Sequence, residues 1–341
     1  MDSFHTSIKT AFEHAYITAI SSLMKFGRTA RPRGFETKEL IAFTLGFENS
    51  RKRLIFNPER KVNLGFMLAE CLWIITGQED VEMVSFYNSK IAQFSDDGKI
   101  FHGAYGPRLR KLHTCFDQEH KINDQIQMII NKLKEDPDSR QAVCNIFYAG
   151  RDYVKTKDVP CTLTFQFFVR EYAGEKQLEM IANMRSNDVI LGLSTDAFNF
   201  TVFQEIIASE LNIEPGWYYH VDGSLHIYER DYEWAERILK NGDRKVNEIL
   251  EMPKMPANSL QYVTKLIDLE RKLRKENIIE VNELPEYWQK WLLTFACYKC
   301  LKENNLDEAE KYNNLIGDHP FSIFMQRSIE RKKLKIKGEH E

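Results

Sequence analysis

The segment Met184–Phe200, MRSNDVILGLSTDAFNF, limits the folds open to this chain more than any other. Arg185, Ser186, Asn187, Asp188 and Asp196 crowd into it, yet it lies between QLEMIANM and FTVFQEIIASEL, two apolar stretches that read as buried. Polar groups carried inward between buried segments cost free energy unless each finds a hydrogen-bond partner. The chain must therefore bring this segment to a functional site or into a structural ion-pair network, and both satisfy the requirement. KQLEMIANMR reads as a strand and FNFTVFQEIIASELN as a helix, so the cluster sits where one turns into the other.

The rest of the chain supplies possible partners. Residues 4–26 have helical spacing through Phe12, Tyr16, Ile20 and Leu23, and LIAFTLGFEN reads as a strand. GRTARPRGFETKE between them is a basic loop whose Arg28, Arg31 and Arg33 are either solvated or set to capture an anion. VNLGFMLAECLWIIT is a nearly all-apolar helix ending before Gly77, with Glu70 alone inside it. A lone carboxylate there needs a partner or a task, and burial raises its pKa into the range of a proton relay. Tyr105 stands between glycines in GAYGPRLR, and INDQIQMIINKLKEDPDSR is an amphipathic helix leading to Arg140 and the strand QAVCNIFY. VPCTLTFQFFVRE is a strand entered at Pro160-Cys161, where the cysteine is by residue type alone a small buried hydrophobe. WYYHVDGSLHIYERD is a further strand; His226 and Tyr228, two apart, share a face, while a lone strand histidine such as His220 is more often structural.

From Tyr232 onward the pattern turns helical and charged, dividing the chain into a core over 1–235 and a helical extension over 236–341, packed as one domain. The CYKC pair, Cys297 and Cys300, lacks a second pair to complete a zinc site and reads as structural. A net charge of -3 over 341 residues gives no basic field for nucleic acid or an anionic membrane, and no apolar run approaches a membrane span. Six cysteines are too sparse for a disulfide framework and no signal peptide is visible, so a cytoplasmic protein with reduced thiols is expected.

In order along the chain, AECLW, DPDSR, PCTLTFQF, RSNDVILG and GSLHIY resemble the buried-glutamate helix, partner-arginine loop, nucleophile strand, phosphate and folate segment, and sugar-binding strand of the thymidylate synthase superfamily. The resemblance implies an α+β fold in which a mixed sheet is packed with helices, and a homodimer joined sheet to sheet. It implies a pyrimidine nucleoside monophosphate as substrate and 5,10-methylenetetrahydrofolate as co-substrate, with no metal. Cys161 would add to carbon 6 of the pyrimidine and so make carbon 5 nucleophilic. Arg185 is expected to favour the thiolate. Glu70, with Tyr105, would move protons at the ring. Arg33, Arg185, Ser186 and the partner subunit's Arg140 would hold the phosphate; Asn187 would join the substrate contacts, and His226 and Tyr228 would hold the sugar. Asp188, with Gly192 and Ile91, would meet the folate.

The departures select a branch. The superfamily's thymidylate synthases carry asparagine where this chain has Asp196. Uracil offers a ring N–H donor and a carbonyl acceptor, which an amide matches, whereas cytosine offers a ring acceptor and an amino donor, which a carboxyl group matches. Asp196 thus points to CMP or dCMP, and in the superfamily aspartate here resembles the cytidylate hydroxymethylases. Thr162 follows the cysteine in place of histidine, and Met184 precedes the arginine in place of glutamine. Gln141 stands where a second partner arginine is common. Ile91 and Phe94 lie near the position of a folate-packing tryptophan, and KLKIKGEHE replaces an apolar closing tail. A less sealed site would let water, rather than hydride, complete the transfer, giving a hydroxymethyl product. The expected activity is therefore folate-dependent 5-hydroxymethylation of a cytidylate, with C5 methylation or a non-catalytic nucleotide-binding role as alternatives.

Overall fold

The computed structural model describes residues 5–113, 122–242 and 249–338; Cys115 and the last three residues of KLKIKGEHE lie outside these ranges. The chain opens with β1 (Thr6–Lys9) rather than helix. Its backbone pairs parallel with the segment Thr44–Phe47, and the helix expected over 4–26 begins only at α1 (Phe12–Phe26). There Phe12, Ala15, Tyr16, Ala19, Ile20 and Leu23 recur every three or four residues and are all buried. β2 (Arg28–Ala30) and β3 (Thr37–Phe47) pair antiparallel across a 3₁₀ turn at Pro32–Gly34, so part of the expected basic loop is strand. α2 (Leu64–Ile75) starts where the Asn63 side chain accepts from Phe66 N and stops before Gly77, whose φ of +76° suits glycine.

After α3 (Val81–Tyr87) and α4 (Tyr105–Arg110) come a short ribbon of β4 (Leu112–His113) with β5 (Ile122–Asn123), and then α5 (Gln125–Glu135), capped by Asp124. β6 (Val143–Asn145), the single turn α6 (Ala149–Asp152), β7 (Thr162–Tyr172), β8 (Glu175–Met184) and β9 (Asn187–Asp188) follow. α7 (Leu193–Leu211) and β10 (Glu214–Tyr228) complete the sheet region. The strands form one mixed sheet in the order β1-β3-β10-β8-β7-β6, with β2 beside β3 and β9 beside β10. α7 is buried almost throughout, and its Gln204 amide donates to the carbonyls of Leu178, Gly216 and Trp217, tying the helix to the sheet.

One irregularity in the sheet positions the site. Along β10 the buried residues are Gly216, Tyr218, His220 and Asp222, then Leu225 and Ile227, so the buried set changes from even to odd positions. β3 bends at the same level, where Ala42 has a φ of +57°. A Cβ on Gly223 would lie 2.8 Å from the Arg185 carbonyl oxygen, which explains glycine at this close approach. The bend buries His220 and leaves His226 and Tyr228 half-buried.

Of the helices that follow, α8 (Tyr232–Lys240) packs against α1 and α9 (Ser259–Glu276) against α7, while α10 (Glu286–Lys302) and α12 (Pro320–Ile336) pack against α2, with α11 (Leu306–Ile316) against α10 and α12. Trp291 of α10 packs 6.2 Å from Phe198 of α7, and Glu270 of α9 accepts from Tyr87 Oη and Arg274 Nε, each at 2.8 Å. Cys297 is buried on α10 and donates to the Ala309 carbonyl, in keeping with a packing role for this half of CYKC. No helix of the described residues is long and apolar enough to cross a membrane.

A buried ion network braces α7 from below. Glu205 accepts from Arg51 Nε at 2.7 Å and pairs with Arg53, whose side chain is wholly buried. Removing one partner of such a pair strands the other charge. Glu205→Leu should therefore cost roughly 3–5 kcal/mol in chemical denaturation, and adding Arg53→Met should recover part of that loss.

Candidate active site

Cys161 lies immediately before β7, beside the end of β8, because Arg185 N donates to its carbonyl at 2.8 Å. The Arg185 side chain folds back over the same segment. Its Nε donates to Pro160 O at 2.8 Å and its Nη2 to Val159 O at 2.9 Å, leaving Nη2 3.6 Å from Cys161 Sγ. Two carbonyls thus fix the guanidinium beside the thiol. The expectation that Arg185 makes this cysteine acidic holds only in part. Burial pushes the Cys161 pKa up more than Arg185 and Arg33 pull it down, and Asp196 and Asp158 push it up further, so the thiol stays protonated above its ordinary value.

Tyr105 opens α4, and its hydroxyl accepts from Thr162 N at 3.3 Å, next in sequence to Cys161. Burial and its neighbours Cys161 and Asp196 raise the Tyr105 pKa, keeping the phenol neutral and able to donate. Glu70 projects from α2 and accepts from Asn199 Nδ2 of α7 at 2.8 Å. Burial, and to a lesser degree Asp196, raise the Glu70 pKa to about 8 despite that hydrogen bond. Asp196, in the first turn of α7, accepts from Asn187 Nδ2 at 3.2 Å. Its pKa rises to about 7, first through burial and also through Asp222, with His220 and Asn187 opposing. Near neutral pH the site therefore offers one protonated carboxyl and one at its midpoint, a pair suited to proton transfer and to hydrogen-bond donation.

The raised pKa values carry a stability consequence. A carboxyl with a folded pKa of about 8 binds its proton more tightly folded than unfolded, so its contribution is complete below the ordinary carboxyl range and is lost as pH rises through 8. The unfolding free energy should fall between about pH 5 and about pH 9, and Glu70→Gln should remove roughly 3–5 kcal/mol of that fall. Denaturant titration of both proteins at the two pH values measures it.

The remaining expected residues separate into two groups. Ser186 Oγ lies 3.4 Å from His226 Nδ1, and the His226 and Tyr228 rings meet edge to face at 5.4 Å. Arg33, held at a φ of +55° in the turn before β3, extends to Tyr228 Oη at 3.4 Å. Arg33, Ser186, His226 and Tyr228 therefore form one connected polar patch next to Arg185. Asp188 Oδ1 accepts from Ile190 N and Leu191 N, forming the turn into α7, and a Cβ on Gly192 would fall 2.5 Å from Asn187 Oδ1. By contrast, Arg140 is exposed, and among the described residues no contact joins its side chain to this cluster. Ile91 packs against the core in a 3₁₀ segment, and Phe94 is exposed.

Sequence reasoning missed three residues. Asn199 holds Glu70, and His220 and Asp222 lie behind Asn187 and Asp196. The HVD triplet carries the only local signal, since positions two apart in a strand share a face.

The family model described as thymidylate synthase matches residues 14–272. The chain is 36% identical over 222 residues to a deoxyuridylate hydroxymethyltransferase of Bacillus phage SP01, covering 64% of this chain and 57% of that protein. It is 37% identical over 180 residues to a deoxyuridylate hydroxymethyltransferase of Pseudomonas phage M6, covering 52% and 48%. A thymidylate synthase of Buchnera aphidicola subsp. Schizaphis graminum is 26% identical over 253 residues, covering 72% and 90%. The chain thus spans about half the length of the two hydroxymethyltransferases it matches.

Proposed function

Since the chain belongs to the thymidylate synthase family, we propose that it transfers one carbon from methylenetetrahydrofolate to carbon 5 of a pyrimidine nucleoside monophosphate, and that the product is a 5-hydroxymethylcytidylate, from CMP or dCMP. The observation that carries the base assignment is the Asp196 carboxyl at the start of α7, with a pKa near 7 and one oxygen held by Asn187. A protonated carboxyl donates to the cytosine ring nitrogen through one oxygen and accepts from the amino group through the other.

In this reading Cys161 gives up its proton and its sulfur bonds to carbon 6, so that electron density moves to carbon 5. The nucleotide phosphate meets the guanidiniums of Arg33 and Arg185 with Ser186, and Arg140 of a second subunit completes the cradle in a homodimer. Arg140, exposed and uncommitted to this chain's own cluster, is free to do so. His226 and Tyr228 hold the sugar. Bound methylenetetrahydrofolate supplies the carbon at the oxidation level of formaldehyde. Asp188 has one oxygen unused by its turn and would meet the folate ring, with Gly192 keeping the backbone low beside it. Glu70, protonated at neutral pH and steered by Asn199, passes protons to and from the ring with Tyr105. Carbon 5 loses a proton and gains CH₂OH, water is consumed, and tetrahydrofolate is released without change of oxidation state.

The hydroxymethyl outcome is supported by the names of the two phage relatives and by Ile91 and Phe94 near the position of a folate-packing tryptophan. Those names also favour one rival, hydroxymethylation of a deoxyuridylate, because a carboxyl protonated on the other oxygen matches uracil. Methylation is distinguished by dihydrofolate. Following dihydrofolate absorbance during turnover of CMP or dCMP should show none, and stoichiometric dihydrofolate would overturn the hydroxymethyl assignment.

A further inference from the structure

His220 stands behind the groups that would meet the base. It is fully buried, and each polar edge of its ring is engaged. Nδ1 lies 2.7 Å from the Tyr218 hydroxyl; Nε2 lies 2.9 Å from Asn187 Nδ2 and 3.3 Å from Asp222 Oδ1. One face stacks on Phe200 at 6.1 Å and 14°. Asp222 is also fully buried, and neither of its oxygens meets hydrogen-bond geometry with any described residue. A carboxylate sealed in beside an imidazole is costly unless the ring carries a proton. Asn187 Nδ2 is also the atom that reaches Asp196 Oδ2, at 3.2 Å. One end of one amide therefore touches both His220 and Asp196.

That shared contact couples two protons. With a neutral His220, Nε2 accepts from the Asn187 amide, which also donates to Asp196 Oδ2; that oxygen is kept bare, and a proton on the carboxyl sits on Oδ1. With an imidazolium, Nε2 donates, and the amide turns its oxygen to the ring. The same amide oxygen then takes a hydrogen bond from a protonated Asp196 Oδ2. In the first arrangement the Oδ1 proton is left to donate to the base, whereas in the second the Oδ2 proton is spent on Asn187 and the carboxyl offers the base acceptors only; cytosine's ring nitrogen needs the donor, and uracil's ring N–H meets an acceptor. We propose that His220, acting through Asn187, sets which oxygen of Asp196 bears the proton and thereby which pyrimidine edge the site accepts. It is a positioning residue for base choice that touches no substrate, and Asp222 biases its ring toward the charged form. This inference rests on the reading that Asp196 meets the base.

The test is the ratio of kcat/KM for dCMP and dUMP, with methylenetetrahydrofolate, over about pH 6 to 9. His220→Phe keeps an aromatic face on Phe200 and removes both nitrogens; it should change the ratio by about tenfold or more, and His220→Gln, which restores an acceptor, should return it toward wild type. Asp222→Asn keeps the volume and removes the charge. The titratable groups facing the ring are Tyr218 and Asp222 on its own strand and Asp196 on α7, so losing Asp222 should move the pH at which the ratio changes downward. Equal loss for both bases in His220→Phe, or a wild-type ratio and pH profile in Asp222→Asn, would overturn the proposal. Asp222→Asn decides the matter if His220→Phe does not fold. A wild-type preference for dUMP would count against the cytidylate reading alone, because the dependence of the ratio on His220 is measured in either case.

Discussion

Cys161→Ala should leave no measurable turnover, a loss on the order of 10⁴-fold or more in kcat, while nucleotide binding changes only a few-fold. Carbon 5 of a pyrimidine is too weak a nucleophile to take up a one-carbon unit unless a group first adds at carbon 6. Among the described residues, Cys161 is the half-buried thiol fixed beside a guanidinium, 3.6 Å from Arg185 Nη2. Cys300, the other half-buried cysteine, lies on α10, and Cys71, Cys144 and Cys297 are buried. Because burial holds the Cys161 thiol protonated, its activation must come with proton removal in the complex, and a serine there would be a much poorer nucleophile still. Steady-state rates beside equilibrium binding of CMP separate the two effects. Activity of Cys161→Ser within about tenfold of wild type would remove the covalent step from the account.

Asp196→Asn should move base preference from cytidylate to uridylate, with the ratio of kcat/KM changing by roughly 10²- to 10⁴-fold. A fixed amide presents a donor and an acceptor in the order that suits uracil, and it cannot exchange them by moving a proton. A mismatched buried hydrogen-bonding group costs far more than a missing contact, which places this substitution well above the few-fold changes expected on the rim of a site. Glu70 should feel the change as well. Removing the Asp196 charge takes away one cause of its raised pKa, so the alkaline limb of the pH profile should move down in the variant. Competition between dCMP and dUMP in one reaction reads the ratio directly. An unchanged ratio would leave the family assignment intact and withdraw the base assignment.

Much of this site was legible because its chemistry needs residue types that are conspicuous out of place. Glu70 in an all-apolar helix and Arg185 to Asp196 between two buried segments are costly where they stand, and the structure brings both to one cluster with Cys161 and Tyr105. Strand periodicity put His226 and Tyr228 on one face, and the resemblance of GSLHIY to the sugar-binding strand brought them into the site. His220 was missed, because simple alternation assigns it the same face as His226; the bend at Ala42 and Gly223 that separates them depends on how two strands and the Arg185 carbonyl meet. β1 was hidden for a related reason. Its residues have no strand pattern of their own and are ordered by pairing with a distant edge. Arg185 pulls the Cys161 pKa down, as a cation visible in sequence should, whereas the depth of burial that outweighs it is a property of the whole fold. Among the described residues no contact joins the Arg140 side chain to the cluster, and the role proposed for it belongs to a second subunit.

The central claim is that this chain places a hydroxymethyl group on cytosine. Its most direct test incubates the wild-type protein with CMP, dCMP, UMP and dUMP, each with methylenetetrahydrofolate, and measures product mass. The account predicts that CMP or dCMP gains the elements of CH₂O while the uridylates turn over poorly or not at all. A methylated or hydroxymethylated uridylate, with both cytidylates inert, would contradict it.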